Sequence, residues 1–221
     1  MVGIIDRWPL YGLRLRTENL ELRLPTEADL VELSELTREP LHDPSVMPFG
    51  VPWTDEPVDT RMRSTVQWHY RARGEWSPDD WKLELVVVRD GRVVGTQGLH
   101  AHRFAVTREV STGSWVGRAY QGQGIATGMR RAVLDLAFTG LGALTARSGA
   151  FSDNRSSLRV SEKVGYRRDG TETHVRRGER AEMVRFLMTR EDWRQLALGR
   201  PAVTIEGLDA CRADFGLPDP D

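Results

Sequence analysis

Leu20, Leu22 and Leu24 alternate with Glu21 and Arg23, a period-two pattern that predicts a half-buried strand ended by Pro25. Thr26 and Asp29 then form a capping-box pair, with Asp replacing the longer Glu or Gln, ahead of a helix whose apolar stripe is Leu30, Leu33 and Leu36. Residues 40–57 carry Pro44, Pro48 and Pro52 among His42, Asp43, Phe49 and Trp53, which excludes a helix or a central strand and predicts a long irregular loop. Such a loop is either an ordered cover over a site or a mobile connection, and its aromatic content favours the cover. A second helix is expected over 57–73, with Met62, Val66 and His69 or Tyr70 facing inward.

LELVVV and RVVG flank Asp90-Gly91, a pair that tolerates the positive φ of a type I′ turn, so these runs predict a β-hairpin. A strand over 109–116 leads into GRAYQGQGIATG, and Ile125, Met129, Ala132, Val133 and Leu136 share one face of a helix that ends near Gly140. Beyond it the pattern predicts a strand over 144–150, a helix over 155–164, strands over 166–174 and 181–187 around Gly178, and a helix capped by Thr189 with Asp192. Antiparallel hairpins mixed with helical crossovers imply an α/β (α+β) fold on a mixed sheet and exclude a purely parallel dinucleotide-binding sheet.

Composition narrows the function. The 221 residues are 39% hydrophobic and 29% charged, ordinary globular values, and are long enough to bury a core without a disulfide or metal staple. With 31 basic against 32 acidic residues the net charge is −1, which argues against a nucleic-acid partner. Cys211 is alone, so neither an internal disulfide nor a thiolate metal site is available, and no apolar run approaches the roughly 20 residues of a membrane span. These features lead to the expectation of a cytoplasmic protein with no metal and no membrane partner. One domain is expected over 1–199, followed over 200–221 by a tail that is either a short helix carrying Ile205, Leu208 and Phe215 or disordered.

Gln121-Gly122-Gln123-Gly124-Ile125-Ala126 ends a strand and opens a helix, where main-chain amides lack intrahelical partners and the dipole is positive. Glycines there remove side chains that would hold an anion away. A P-loop would need Gly-Lys-Ser/Thr, and the nearest lysine is Lys163. A dinucleotide fingerprint would want a third glycine earlier than Gly128 and an acid where the following strand has Thr145 and Arg147.

Gln121, Gly124 and Ala126 in this order resemble the signature of the GNAT superfamily of acyl-CoA N-acyltransferases. A second block, Asn154-x-x-Ser157 followed by Val160, Lys163, Gly165 and Tyr166, is similar to the RimJ/RimL-type branch. The resemblance implies a mostly antiparallel sheet splayed at the cofactor site. It implies acyl-CoA as donor, acetyl-CoA or succinyl-CoA, with the diphosphate held by Gln121, Gly122, Gln123, Gly124, Ile125 and Ala126. Main-chain groups around Ser114, Trp115 and Val116 would pair with pantetheine and polarise the thioester. Asn154 would contact pantetheine or simply cap its helix, and Ser157 would protonate the departing thiolate. The acceptor implied is a primary amine of a protein N-terminus, a lysine or a small molecule, attacked directly without a covalent enzyme intermediate, so Cys211 reads as inert. A homodimer is a family-level expectation.

The base is open at this point. Many relatives carry a glutamate where this chain has Ser111, and Glu109 lies on the same strand face about 7 Å further back. His42, Asp43, His100 and His102 are further candidates, and Asp43, Phe49, Trp53 and His100 are expected to border the acceptor. The missing glutamate also leaves room for a non-catalytic acyl-CoA-binding module.

Overall fold

The computed structural model describes residues 2–197, 199–201 and 203–218. Its strands are β1 (Arg14–Arg16), β2 (Glu21–Arg23), β3 (Asp80–Arg89), β4 (Arg92–His102), β5 (Glu109–Val116), β6 (Thr145–Phe151), β7 (Arg167–Arg176), β8 (Glu179–Thr189) and β9 (Thr204–Glu206). They form one sheet in the order β7-β8-β6-β5-β4-β3-β2-β1-β9. Every neighbouring pair is antiparallel except β5 with β6.

Helices cover both faces. Helices α1 (Glu27–Glu35) and α2 (Val58–Gly74) pack on one, where Leu33 meets Val86, Val93, Leu36 and Trp115. On the other, α4 (Ile125–Asp135) and α5 (Arg155–Val164) close the main core, with Ile125, Met129 and Val133 against Leu83, Leu85 and Leu99. The short α3 (Phe104–Thr107) follows β4, and α6 (Arg190–Ala197) follows β8. Thr26 and Asp29 form the expected capping box, and the Thr189 and Asp192 side chains each accept from the other's amide. Asp90 and Gly91 turn the hairpin with φ of 50° and 75°, the left-handed pair a type I′ turn needs.

Three expectations need correction. A strand precedes the one predicted at Leu22: β1 alternates only Arg-Leu-Arg, too short for a period to register. In α2 the inward positions are Thr65, His69 and Ala72, while Tyr70 is exposed. The tail expected over 200–221 takes its helical alternative but packs onto the body: β9 pairs with β1, a 3-10 helix over Asp209–Phe215 buries Cys211 and Phe215, and Leu217 just after it is buried too. Phe215 sits edge-on to Trp76 and Trp81, with centroids at 5.6 and 5.0 Å, so an aromatic cluster fixes this segment where its own few apolar residues could not. No helix among the described residues is long and apolar enough to cross a membrane.

Candidate active site

The two edges of β5 are unequal. Toward β4 it is paired from Ser111 to Val116, but toward β6 only Glu109, Val110 and Ser111 are in register, opposite Thr145, Ala146 and Arg147. Past that point β6 continues along β8 to Phe151 while β5 bends away. Gly95 permits the bend, since a Cβ there would collide with the carbonyl oxygen of Trp115 and lie 2.9 Å from the Cα of Val116. A wedge opens between the strands, edged by the main chain of residues 112–116 and 148–151, and an extended chain can enter it to use peptide groups that no strand satisfies.

The loop after β5 leads to the N-terminus of α4. Gly122 and Gly124 adopt φ of 76° and 81°, and nothing lies within 4 Å of where their Cβ atoms would be, so the space above them is open. Among the described residues the amides of Gly122, Gln123 and Gly124 make no hydrogen bond to the chain, and those of Ile125 and Ala126 start the helix, where no intrahelical acceptor exists. Gln121 is bound differently from its neighbours: its side-chain amide donates to the carbonyls of Leu41 at 2.8 Å and Val116 at 3.0 Å, tying the loop to the end of β5. Gln123 accepts from Arg89 at 2.9 Å. A groove of about 300 Å³ runs past Gln123, Gly124, Ile125 and Gly128 between Arg89 and Arg131. Unpaired amides, a positive helix end and two flanking guanidinium groups fit a diphosphate. Arg89 and Arg131 lie outside the signature, so the motif gives no hint of them.

On the α4 face of the wedge, Arg130 is 4% exposed. Its guanidinium donates to Ser114 Oγ at 2.9 Å, Ser148 Oγ at 3.1 Å and Gln97 Oε1 at 3.4 Å, all neutral. Burial pulls its pKa down, with only the Tyr166 phenol acting in the opposite sense. Ser114 thus presents its hydroxyl to Arg130, a partner that the alternation of α4 does not announce. Asn154 caps α5 through its Oδ1, which accepts from the amide of Ser157 at 3.2 Å. The cap is made, which leaves the side-chain amide nitrogen of Asn154 for a further contact and places Ser157 in the first turn of α5, next to the wedge end of β6.

On the α1/α2 face, residues 40–57 are pinned at several points. Arg177 grips the Asp55 carboxylate at 2.6 and 2.7 Å and donates to the carbonyl of Pro44. Arg176 binds the carbonyl of Met47 at 2.9 Å and the Asp153 carboxylate. From α2, Arg61 donates to the carbonyls of Thr37, Arg38 and Thr54. The loop is an ordered cover, reaching from α2 to the tip of the β7-β8 hairpin. Its own His42, Phe49 and Trp53 form an aromatic row that ends on Trp115 of β5, with centroids 5.8, 5.2 and 5.9 Å apart. Asp43 is a local turn instead, accepting from the amide and hydroxyl of Ser45, which hold its pKa low.

The remaining candidates separate. Glu109 pairs with Arg147 at 2.9 Å and accepts from Thr145 at 3.0 Å, at the closed end of the wedge, so the structure does not bring it to the open end. His100 Nε2 donates to the Glu84 carboxylate at 2.6 Å in the tautomer that protonates it, on the face that also carries Ser111, Gly113 and Trp115. Glu84 went unnoticed in the sequence, although a carboxylate inside LELVVV was the signal. Cys211 is buried, and that burial pushes its thiol up to about 12, which makes it inert. Among the described residues no group of three or more His, Cys, Asp or Glu side chains is clustered for a metal ion.

Several known proteins resemble this chain in sequence or in fold. The chain is 29% identical over 101 residues to the probable N-acetyltransferase YjcK of Bacillus subtilis, 46% of this chain and 55% of that one. It thus spans about half the length of that relative. Mycobacterium smegmatis RimJ, solved with a CoA disulfide, superposes with a TM-score of 0.66 at 22% identity over 87% of this chain and 97% of that one. The microcin C7 self-immunity acetyltransferase MccE, solved with acetyl-CoA and AMP, gives 0.63 at 16% identity over 78% and 93%. The family model of the acetyltransferase (GNAT) domain matches residues 19–167, and with most of the sheet, the wedge and the glycine loop inside that span, the chain belongs to the GNAT acetyltransferase family.

Proposed function

We propose that this protein transfers an acyl group from acyl-CoA to an amine by direct attack, with acetyl-CoA as the leading donor. The observation that carries it is the open wedge of β5 and β6 ending at a left-handed Gly122/Gly124 loop on a helix N-terminus. In this reading the loop amides from Gly122 to Ala126 hold the diphosphate, aided by Arg89 and Arg131. Main chain at Ser114, Trp115 and Val116 holds pantetheine and polarises the thioester carbonyl. The amine nitrogen bonds the acyl carbon and sheds a proton to solvent or a nearby base, the C–S bond breaks, and the thiolate takes a proton through Ser157, which regains it from solvent. The aromatic row of Phe49, Trp53 and Trp115 walls the acceptor side.

A succinyl donor is a second reading, favoured by Arg130. A buried guanidinium with only neutral described partners is an expensive arrangement, and a carboxylate at the far end of the acyl chain would complete it. Relatives named for ribosomal-protein acetylation and for a microcin keep both polypeptide and small-molecule acceptors in view. A dimer is proposed from the family, and a cytoplasmic location from the single cysteine.

The test is amine-dependent thiol release from acetyl-CoA and succinyl-CoA with a panel of peptides and small amines, paired with calorimetry on CoA. Release above background with either donor supports transfer. CoA binding without release from any acceptor would instead favour the binding-module alternative. Ser157→Ala is expected to lower kcat about tenfold while leaving CoA affinity unchanged; an unchanged kcat would reduce Ser157 to a structural hydroxyl.

A further inference from the structure

Beyond Glu109, the α1/α2 face of β5 carries Ser111, Gly113 and Trp115 and no carboxylate, and Glu109 itself is held by Arg147 at the closed end of the wedge. We propose that His100 is the proton acceptor for the attacking amine and that Glu84 is its positioning residue, an inference that rests on the transfer reaction above.

Register places the pair. Gly98 lies opposite Glu84 on one side and Gly113 on the other, and His100 lies opposite Lys82 and Ser111. All of these side-chain positions face α1 and α2. With Gly98 and Gly113 lacking side chains, the face dips between the Glu84–His100 pair and Trp115. Nothing lies within 4 Å of a Cβ built on Gly113, so the dip is open above the strand that edges the wedge. Directly opposite residues on paired strands are about 5 Å apart and diagonal ones about 7–8 Å. The imidazole therefore stands beside Ser111 and diagonal to Gly113, one residue short of the Ser114 main chain where the thioester would be held, so a proton reaches it from the attacking amine directly or through one water.

Chemistry assigns the roles within the pair. The Glu84 side chain is 8% exposed and that of His100 29%, so the carboxylate is sealed and the ring reaches the dip. Gly98 permits this, because a Cβ there would lie 2.5 Å from His100 Nε2 and 3.0 Å from Glu84 Oε1. When Nε2–H donates to Glu84, the lone pair is on Nδ1, and the carboxylate stabilises the imidazolium that forms on proton uptake. Among the described residues, His100 makes the only side-chain hydrogen bond to the Glu84 carboxylate.

The step balances. As the nitrogen bonds the acyl carbon and the thiolate leaves, the proton shed by the nitrogen passes to His100 Nδ1 and later to solvent, while the thiolate is protonated through Ser157. The charged and titratable groups around His100 are Glu84 and Lys82 on β3, His102 on its own strand, and His69 and Arg73 on α2.

The test uses the full chain, acetyl-CoA and whichever peptide or small amine the wild type turns over. His100→Gln is expected to lower kcat about 100-fold or more with CoA affinity and KM little changed. The deficit should shrink as pH is raised toward the pKa of the acceptor amine, since the nucleophile then arrives already deprotonated. Glu84→Gln should give a smaller loss with the same pH trend. An unchanged kcat in His100→Gln, or a loss that stays constant with pH, would overturn the assignment. If Glu84→Gln fails to fold, His100→Gln alone decides. A wild type that binds CoA and acylates nothing would instead refute the transfer reaction.

Discussion

The two faces of β5 are built on opposite principles. On the α4 side, Ser114 meets a buried arginine, and the open groups beyond it are main-chain amides fixed by backbone geometry. On the α1/α2 side, Ser111 and Gly113 are exposed, and the walls are side chains: a histidine–glutamate pair, an aromatic row and a loop strapped by arginines. A donor common to a whole family can be held by peptide groups that no substitution removes. An acceptor that differs among relatives calls for exchangeable side chains and a loop that tolerates change.

The sharpest way to break this contrast is at Gly124. Gly124→Val places a branched side chain in the open space above a left-handed residue. If the amides hold the diphosphate, CoA affinity should fall at least about 100-fold, the loss of one or two charge-assisted hydrogen bonds. The positive φ strains a β-branched residue by about 1–2 kcal/mol, so the melting temperature should fall by several degrees while the chain stays folded at the temperature of the titration. Calorimetry with retained affinity would remove the loop from the donor side.

On the acceptor side, the support behind Glu84 can be read through pH. His69 of α2 is 2% exposed, and burial drives its pKa to about 4 despite the opposing pull of Glu84. The unfolded chain binds a proton there from pH 6.5 downward and the folded chain does not until about 4. The stability contributed by keeping this ring neutral is therefore complete above pH 6.5 and lost as pH falls through that window, by roughly 3 kcal/mol. His69→Gln should flatten the unfolding free energy over this range; an unaltered slope in denaturant titrations would mean that the ring is not titrating as a buried neutral group.

How much of this was legible in sequence follows the same division. The glycine loop, the capping boxes and the Asp90-Gly91 hairpin are local, and each is specified by residues within a few positions of one another. The acceptor side depends on contacts between distant segments. Arg177 meets Asp55, and Arg176 meets Asp153 and Met47, across pairings that no short-range pattern encodes. Glu109 misled because strand alternation gives the correct face but not which end of the strand is open. Tail residues such as Phe215 misled for a related reason: the aromatic partners Trp76 and Trp81 lie far up the chain.

Arg130 sharpens the donor side. Arg130→Gln retains a hydrogen-bonding side chain and removes the charge. If an acidic acyl group ends against it, the ratio of kcat/KM for succinyl-CoA to that for acetyl-CoA should fall about tenfold or more, the worth of a hydrogen bond to a charged group. An unchanged ratio would assign Arg130 to bracing Ser114 and Ser148 across the wedge and would leave acetyl-CoA as the donor.

The smallest expected effect concerns the straps over the acceptor. Arg177 sits on the hairpin tip at residues 177–178, where both residues have positive φ, and its guanidinium reaches Asp55 and the carbonyl of Pro44 from outside the core. The Asp55 carboxyl is held below its usual range by the Arg177 hydrogen bonds. An exposed pair of this kind contributes little to global stability, but here it fixes one end of a loop whose other contacts, from Arg61 and Arg176, stay in place. Arg177→Ala should therefore leave the melting temperature and CoA affinity unchanged and raise KM for the acceptor about threefold. Added salt should raise the wild-type KM toward the variant's value by screening the same pair. If KM for the acceptor is indifferent to both, the loop from 40 to 57 covers the site without shaping it, and the aromatic row alone would have to account for acceptor binding.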